Sequence, residues 1–339
     1  MPSLGDIPSM PDLDQVGFDD LNAALKAAGE ETRLRILALL NEAELTVSDL
    51  TDILRQSQPR ISRHLKLLAD AGLVARFREG AWAFFRLAEH GPAALAIRSL
   101  IARLDERDAV IARDRERLAE VRAARTAAAQ AYFKEHAAEW DRIRALHAAD
   151  EAVEAEVQVA LADRPFRSLL DLGTGTGRML ELLGPGLERG LGIDLSLDML
   201  ALARARLDHA GLRHCSVRQG DIYDLPLSRD AFDVVIVHQV LHFLDDGGRA
   251  IREAARVLRP QGRLLVIDFA PHDLEFLREE HAHRRLGFAP EAVTQWMEQA
   301  GLEVLRHNNV APGENGKIAV SLWLARDPRI LLAGTREVA

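Results

Sequence analysis

The stretch Ser168 to Met179, SLLDLGTGTGRM, joins an apolar run to one carboxylate and three glycines on alternate positions. A strand that ends in such a loop lets a ligand come close to the backbone. The dinucleotide fingerprint spaces its glycines as G-x-G-x-x-G and seats a pyrophosphate on the next helix. Here Gly173, Gly175 and Gly177 follow G-x-G-x-G, and Asp171 stands two residues before the first of them. A carboxylate repels a pyrophosphate and attracts an ammonium group. The loop therefore points to a nucleoside that carries an amino acid in place of phosphates, namely S-adenosylmethionine (AdoMet). A dinucleotide dehydrogenase and a fold without a ligand are the rival readings.

More groups follow at matching places. GLGIDLSLDML ends a second apolar run at Asp194, whose two oxygens can accept both hydroxyls of a ribose. Met199 follows in the next helix. QGDIYDLP places Asp221 for an exocyclic amine and Ile222 for the face of a ring. FDVVIVHQVLHFL ends a further run at His238. All these positions fall at the carboxyl ends of successive strands, where open α/β sheets bind ligands.

Methyl transfer needs alignment of nucleophile and sulfonium, and in some cases a base. Candidates are His238, His242 and the cluster EEHAHRRLGF, with Glu279, Glu280, His281, His283, Arg284 and Arg285. His281 and Arg285 are spaced i, i+4, as on one helical face. That face suits either an anionic or hydroxylated acceptor or a solvated salt-bridged surface. A metal at Glu280, His281 and His283 is disfavoured, because alternate positions diverge on a helix, and no metal site is expected. The single cysteine, Cys215, excludes a thiolate cluster and an internal disulfide.

A second kind of chemistry lies upstream. In QSQPRISRHLKLL, Ile61, Leu65 and Leu68 repeat at i, i+4, i+7 and turn inward. Gln58, Arg60, Ser62, Arg63, His64 and Lys66 are left to meet base edges and phosphates in a major groove. Ser57 is placed to cap that helix and Pro59 suits its first turn. LVARFREGAWAFFRL then reads as two strands around Glu79-Gly80, a wing carrying Arg76, Arg78 and Arg86. Between 55 and 87 seven basic residues face two acidic ones, in a chain whose net charge is −9. A local basic patch of this kind gives salt-sensitive DNA binding.

The elements that must position these groups can be read in outline. EETRLRILALL places Leu34, Ile36, Leu37, Leu39 and Leu40 on one broad helical side, and TVSDLTDIL turns Val47, Leu50 and Leu54 inward. Residues 93–160 contain no glycine and read as long helices. Ile97, Leu104, Ile111 and Leu118 recur every seven residues, with Leu100, Arg107, Asp114 and Val121 as companions. A helix over 93–125 with that seam favours pairing of two copies over folding back on its own chain. Strands are expected at 167–172, 189–194, 214–218, 232–238, 262–269, 302–309 and 316–325, alternating with helices. The expected domains are a tail at 1–17, a DNA-binding domain at 18–90, a helical connector at 91–130, a ligand domain at 131–326 and a tail at 327–339. The fold class is α/β: a winged helix-turn-helix, a long connector and a doubly wound, mostly parallel, seven-stranded sheet. The acidic start MPSLGDIPSMPDLDQ lacks a signal peptide and no run of about 18 apolar residues occurs, so a cytoplasmic protein is expected.

Two resemblances join these readings. TRLRILALL, ELTVSDLTDIL, SQPRISRHLKLLADAGLV and REGAWAFFRL resemble the ArsR-type winged helix-turn-helix repressors over residues 20–88. That resemblance implies a homodimer on a double-stranded DNA operator, released by an effector. Many members sense metals through Cys-x-Cys, but the matching positions here are Thr46 and Ser48, neither a soft-metal ligand. From about 130 to 326 the ordered motifs resemble class I AdoMet-dependent methyltransferases, Rossmann-like in fold. That resemblance implies Asp171 and Gly173 near the methionine part, Asp194 on ribose, and Asp221 with Ile222 on adenine, with Met199 packed near it. Tyr132-Phe133 and Trp140-Asp141 look like the segment that closes over the cofactor. A small-molecule methyl acceptor follows for an active enzyme; arsenite as acceptor is disfavoured by the lone thiol. The effector implied by the pair is AdoMet or its product S-adenosylhomocysteine (AdoHcy).

Overall fold

A computed structural model describes residues 16–79, 82–88, 90–137, 150–311 and 318–330. Expectations for the first residues of the tail, for Gly80, for Trp140-Asp141 and for 331–339 lie outside these. The chain divides into two compact units, 1–124 and 125–339, the boundary falling inside the connector.

In the first unit, α1 (Phe18–Ala28), α2 (Glu31–Glu42), α3 (Val47–Leu54) and α4 (Gln58–Asp70) surround one core. A three-stranded sheet has the order β1 (Leu45–Thr46), β3 (Trp82–Leu87), β2 (Val74–Glu79), with antiparallel pairing throughout. Helix α3 starts on a capping box: Asp49 N donates to Thr46 Oγ1, and Thr46 N donates to Asp49 Oδ2. Thr46 therefore spends its hydroxyl on the helix start. Arg55, at φ 52°, ends α3 in the left-handed region and turns the chain toward α4. Ser57 takes the N-cap position of α4 without a side-chain bond, and Pro59 sits in the first turn. Ile36, Leu37, Leu50, Ile53, Ile61, Leu65 and Leu68 are buried. Leu34 was expected with them, yet it is exposed, because its position lies at the edge of the apolar stripe of α2.

The expected single helix over 93–125 is two helices, α5 (Pro92–Ile101) and α6 (Ala109–His136). The break has a side-chain cause. Asp108 Oδ1 accepts from Val110 N and Ile111 N and so starts a new helix. The seam expected to pair two copies folds back on its own chain instead: Ile97 and Leu118 are buried in the core of α2, α3 and α4, with Leu104 and Val121 packed against it. Asp114, a polar member of the seam, is 2% exposed and binds Arg35 of α2 through both oxygens at 2.6 and 2.7 Å.

The second unit is a seven-stranded sheet in the order β6 (Cys215–Gln219), β5 (Arg189–Asp194), β4 (Ser168–Leu172), β7 (Phe232–His238), β8 (Leu258–Phe269), β10 (Val320–Arg326), β9 (Glu303–Val310). The first five are parallel, and β10 runs antiparallel to both neighbours. Helices cover both faces: α7 (Asp150–Leu161), α8 (Arg178–Leu183), α9 (Leu197–His209), α10 (Gly247–Val257), α11 (Phe276–Glu280) and α12 (Pro290–Gln299). Two apolar cores result, one on each side of the sheet. That is why β4 and β7 read as near-continuous apolar runs. Strand order reverses at β4, so the carboxyl ends of β4, β5 and β7 open on a crevice. The start of the expected C-terminal tail is packed: Asp327 is buried, and Arg329 binds Asp327 and Asp230. Among the described residues no helix is long and apolar enough to cross a membrane.

Candidate functional site

The crevice at the strand ends is an open cleft. Of the residues expected to hold a cofactor, Asp171, Gly173, Gly175, Asp194, Met199, Asp221, Ile222 and His238 line it. Gly177 does not. It has φ 82°, and a Cβ there would sit 3.1 Å from Ala203 Cβ. Its smallness serves the packing of α8 on α9. Gly173, at φ 69°, is forced differently: a Cβ would stand 2.3 Å from Val240 Cγ2. The loop is thus pressed against the chain that follows β7.

The carboxylates are held in place by short bonds. Asp171 is 1% exposed and accepts from Thr174 Oγ1 at 2.5 Å. Asp194 accepts from Gly175 N at 2.8 Å and from Ser196 N at 2.9 Å, one on each oxygen. The glycine loop and the end of β5 are therefore one hydrogen-bonded unit. Burial pushes the Asp194 carboxyl up, and its backbone donors partly offset this. Asp221 is exposed and accepts from Tyr223 N at 2.9 Å, with Ile222 buried beside it. These residues fit a nucleoside with an amino-acid tail. Acceptors stand at the ends of three adjacent strands, and the loop backbone is bare at Gly173.

Sequence reasoning missed a wall of the cleft. Arg125, Thr126, Gln130 and Phe133 of α6 line it, as do Tyr223, Gln239, Val240, Phe243 and Asp245. Of these, the sequence pattern marks only Phe133, with its neighbour Tyr132. A helix face carries no local signature for a distant cleft, so 125–130 gave no signal. Asp245 binds Arg125 at 3.4 Å and also Arg284. Tyr223 O–H accepts from Asp246 N, and burial pushes its phenol up to about 12.

The candidate catalytic residues separate. His238 lines the cleft; His281 and His283 do not. The expected helical face of His281 and Arg285 does not exist, because α11 ends at Glu280 and Ala282 takes φ 55°. That turn sends the two histidines apart. His281 Nδ1 accepts from Tyr132 O–H at 2.6 Å, whereas the His283 ring lies 4.2 Å from His242. Arg285 is buried rather than solvated, and its backbone N, like that of Arg284, donates to His242 O. His242 in turn pairs with Asp268: Nδ1 to Oδ1 is 2.8 Å, both residues being almost fully buried. Among the described residues no group of three His, Cys, Asp or Glu side chains could hold a metal.

On the first unit, α4 turns Gln58, Arg60, Ser62, Arg63 and Lys66 outward, opposite Ile61, Leu65 and Leu68. Arg76 and Arg78 are exposed on β2. His64 is half-buried instead, with Nδ1 3.6 Å from Glu30 Oε2 at the start of α2. Burial first, and then the guanidiniums of Arg33, Arg60 and Arg63, lower its pKa against the pull of Glu30. Arg86 is tied to Glu44 and lies over the Phe77 ring.

The family model of a bacterial regulatory protein of the arsR family matches residues 30–76, and that of a methyltransferase domain matches residues 170–266. The arsenical resistance operon repressor of Escherichia coli is 51% identical over 69 residues, which is 20% of this chain and 59% of the repressor. The uncharacterized methyltransferase YcgJ of Bacillus subtilis is 32% identical over 111 residues, 32% of this chain and 44% of YcgJ. A demethylmenaquinone methyltransferase of Thermus thermophilus is 39% identical over 118 residues, 34% of this chain and 52% of that enzyme. The chain thus spans less than two thirds of each of these relatives. The outward basic face of α4 and the carboxylate-edged cleft lie in the two matched regions, and the chain joins an ArsR-family helix-turn-helix domain to a methyltransferase domain.

Proposed function

We propose that this chain is an ArsR-type transcriptional regulator whose grip on operator DNA is modulated by AdoMet or AdoHcy in the cleft. The observation that carries the reading is helix α6. Its earlier turns hold the DNA-reading unit: Asp114 to Arg35, Arg117 to Ile53 O, and Arg122 to Glu42 O. Ile53 lies in the last turn of α3, just before the bend that sets α3 against α4. Later turns of the same helix supply Arg125, Thr126, Gln130 and Phe133 to the cleft. A ligand that prefers one placement of those side chains shifts the helix, and its differential affinity sets the size of the effect. The protein acts as a cytoplasmic homodimer on a two-fold operator, with Gln58, Arg60, Ser62, Arg63, Lys66, Arg76 and Arg78 on the DNA side. Titration of a labelled fragment of the gene's own promoter with each ligand tests this. DNA affinity changes at saturating AdoMet or AdoHcy; an unchanged affinity with both ends the sensor reading.

A second reading is that the cleft also turns over, methylating a small molecule while the DNA-binding unit controls expression. The apolar side of the cleft, Phe133 on Phe243 at 4.8 Å, favours it. AdoMet supplies the electrophilic methyl group on a sulfonium. Asp171 faces its ammonium, Asp194 its ribose hydroxyls, and Asp221 with Ile222 its adenine. Incubation with methyl-labelled AdoMet and a cell extract tests turnover, and absence of labelled product counts against it.

A further inference from the structure

The cleft has two unlike sides. Asp171, Asp194 and Asp221 provide acceptors on the glycine-loop side. The side beyond β7 holds Val240, Phe243 and Leu244, with Phe133 of α6. Gln239 stands at the junction, and it is unusual in two ways. Its φ is 53°, a left-handed conformation disfavoured for any residue with a Cβ. Of the five such non-glycine residues among those described, it is the one that lines the cleft. A bond from its N–H to Ile267 O at 2.7 Å holds it there. Its side chain is also 6% exposed, with the amide Nε2 buried and lacking a hydrogen-bond partner among the described residues. A buried donor left unmatched is a cost that a glycine at this position would remove together with the strain.

We propose that Gln239 is the residue that orients the methyl acceptor, its amide donating to the oxygen nucleophile of a planar, largely apolar molecule of phenol type. This rests on the methyl-transfer reading of the cleft. The donor asks for an oxygen, and the neighbouring Val240, Phe243 and Phe133 ask for an apolar ring. Gly173 packs on Val240, so the amino-acid end of the ligand lies next to Gln239. A phenol, near pKa about 10 in water, gives up its proton far more readily than an aliphatic alcohol, and a donor on its oxygen favours the phenolate against the burial that opposes it. In the step, the acceptor O–H loses its proton to water in the open cleft. Its oxygen bonds the methyl carbon, and the carbon–sulfur bond breaks with its electron pair left on sulfur.

The test uses the full chain loaded with AdoHcy and 1-naphthol as probe, read by calorimetry. The loaded wild type binds naphthol. Gln239→Gly weakens naphthol about tenfold or more, keeps AdoHcy within about twofold, and melts at the same or a higher temperature. Gln239→Asn tolerates the backbone, keeps an amide and retains part of the affinity. Unchanged naphthol binding in Gln239→Gly, or none in the loaded wild type, overturns the proposal. So does a fall in AdoHcy affinity, which makes the amide a ligand contact, or a lower melting temperature in both variants, which makes it structural. A wild type that does not bind AdoHcy removes the reading of the cleft itself, and this proposal with it.

Discussion

Arg35 and Asp114 form a two-bond ion pair, 2.6 and 2.7 Å, between α2 and α6, with the Asp114 side chain almost out of reach of water. It fixes the first half of α6 to the helix that precedes the DNA-reading pair. Removing one partner leaves the other charge buried without compensation, which costs about 3–5 kcal/mol where both are buried. Arg35 keeps some exposure, so Asp114→Ala should cost about 3 kcal/mol, read as a lower urea midpoint. The effect of AdoHcy on DNA affinity should shrink in the same variant. An unaltered midpoint would show that the pair contributes nothing to the unit.

Asp194 bonds the glycine loop through Gly175 N and the start of α9 through Ser196 N. Its replacement by alanine removes the acceptors meant for ribose and frees the loop. Hydrogen bonds to a charged group are worth about 1.5–3 kcal/mol, so AdoHcy affinity should drop by roughly tenfold to a hundredfold. DNA affinity without ligand should stay as it is. Parallel loss of both would contradict the separation of the two activities.

Gly173 and Gly177 look alike in the sequence but should behave differently. Alanine at 173 collides with Val240 inside the cleft, so it should abolish AdoHcy binding along with some stability. Alanine at 177 meets Ala203 at a tighter than usual distance and takes a left-handed φ. It should cost about 1–2 kcal/mol of stability and leave the ligand largely in place. Equal ligand loss in the two variants, measured against their melting temperatures, would refute this division.

The residues that could be read in advance share a property: each sits where a strand ends or a short helix shows one face. Asp171, Asp194 and His238 follow apolar runs that read as buried strands, and Asp221 follows the alternating edge strand CSVRQ. β8 and β10 were legible for the same reason, while the edge strands β6 and β9 are mostly polar and partly exposed. Arg125 and Gln130 were not, because the seam of α6 ends at Val121 and RTAAAQ beyond it has no apolar stripe to orient it. The break before α6 was hidden too: Asp108 reads as one more charge in LDERDAV until its carboxylate is seen on Val110 N and Ile111 N. His64 followed the pattern of a base-reading helix, yet the nearby Glu30, contributed by another helix, drew it inward.

His272 offers a pH test of the second unit. Burial lowers its pKa from 6.5 to about 4, with His242 and Arg278 acting in the same direction against the pull of Asp268 and Asp273. The unfolded chain therefore binds a proton below pH 6.5 that the folded state refuses. Stability from this group is complete above the unfolded value and is lost as pH falls from about 6.5 toward about 4. Between neutrality and about pH 5 the loss should reach about 1 kcal/mol, solvent screening of the partly exposed ring having reduced it. His272→Gln should flatten that part of the curve, measured by urea unfolding at each pH. An equally steep curve in the variant would assign the acid sensitivity to other groups.

The outward face of α4 gives the last test. Arg63 and Lys66 are exposed, whereas His64 is turned to Glu30. If the first two meet phosphates, alanine at either should weaken binding to specific and random DNA alike. Each should also reduce the slope of log affinity against log salt by about one. His64→Ala should leave that slope unchanged, since its ring is engaged within the unit. Gln58→Ala and Ser62→Ala, whose side chains are neutral, should alter the preference among sequences more than the salt slope. A salt slope that falls as far with His64→Ala as with Lys66→Ala would mean that the histidine leaves Glu30 on DNA, and that the unit repacks when it binds.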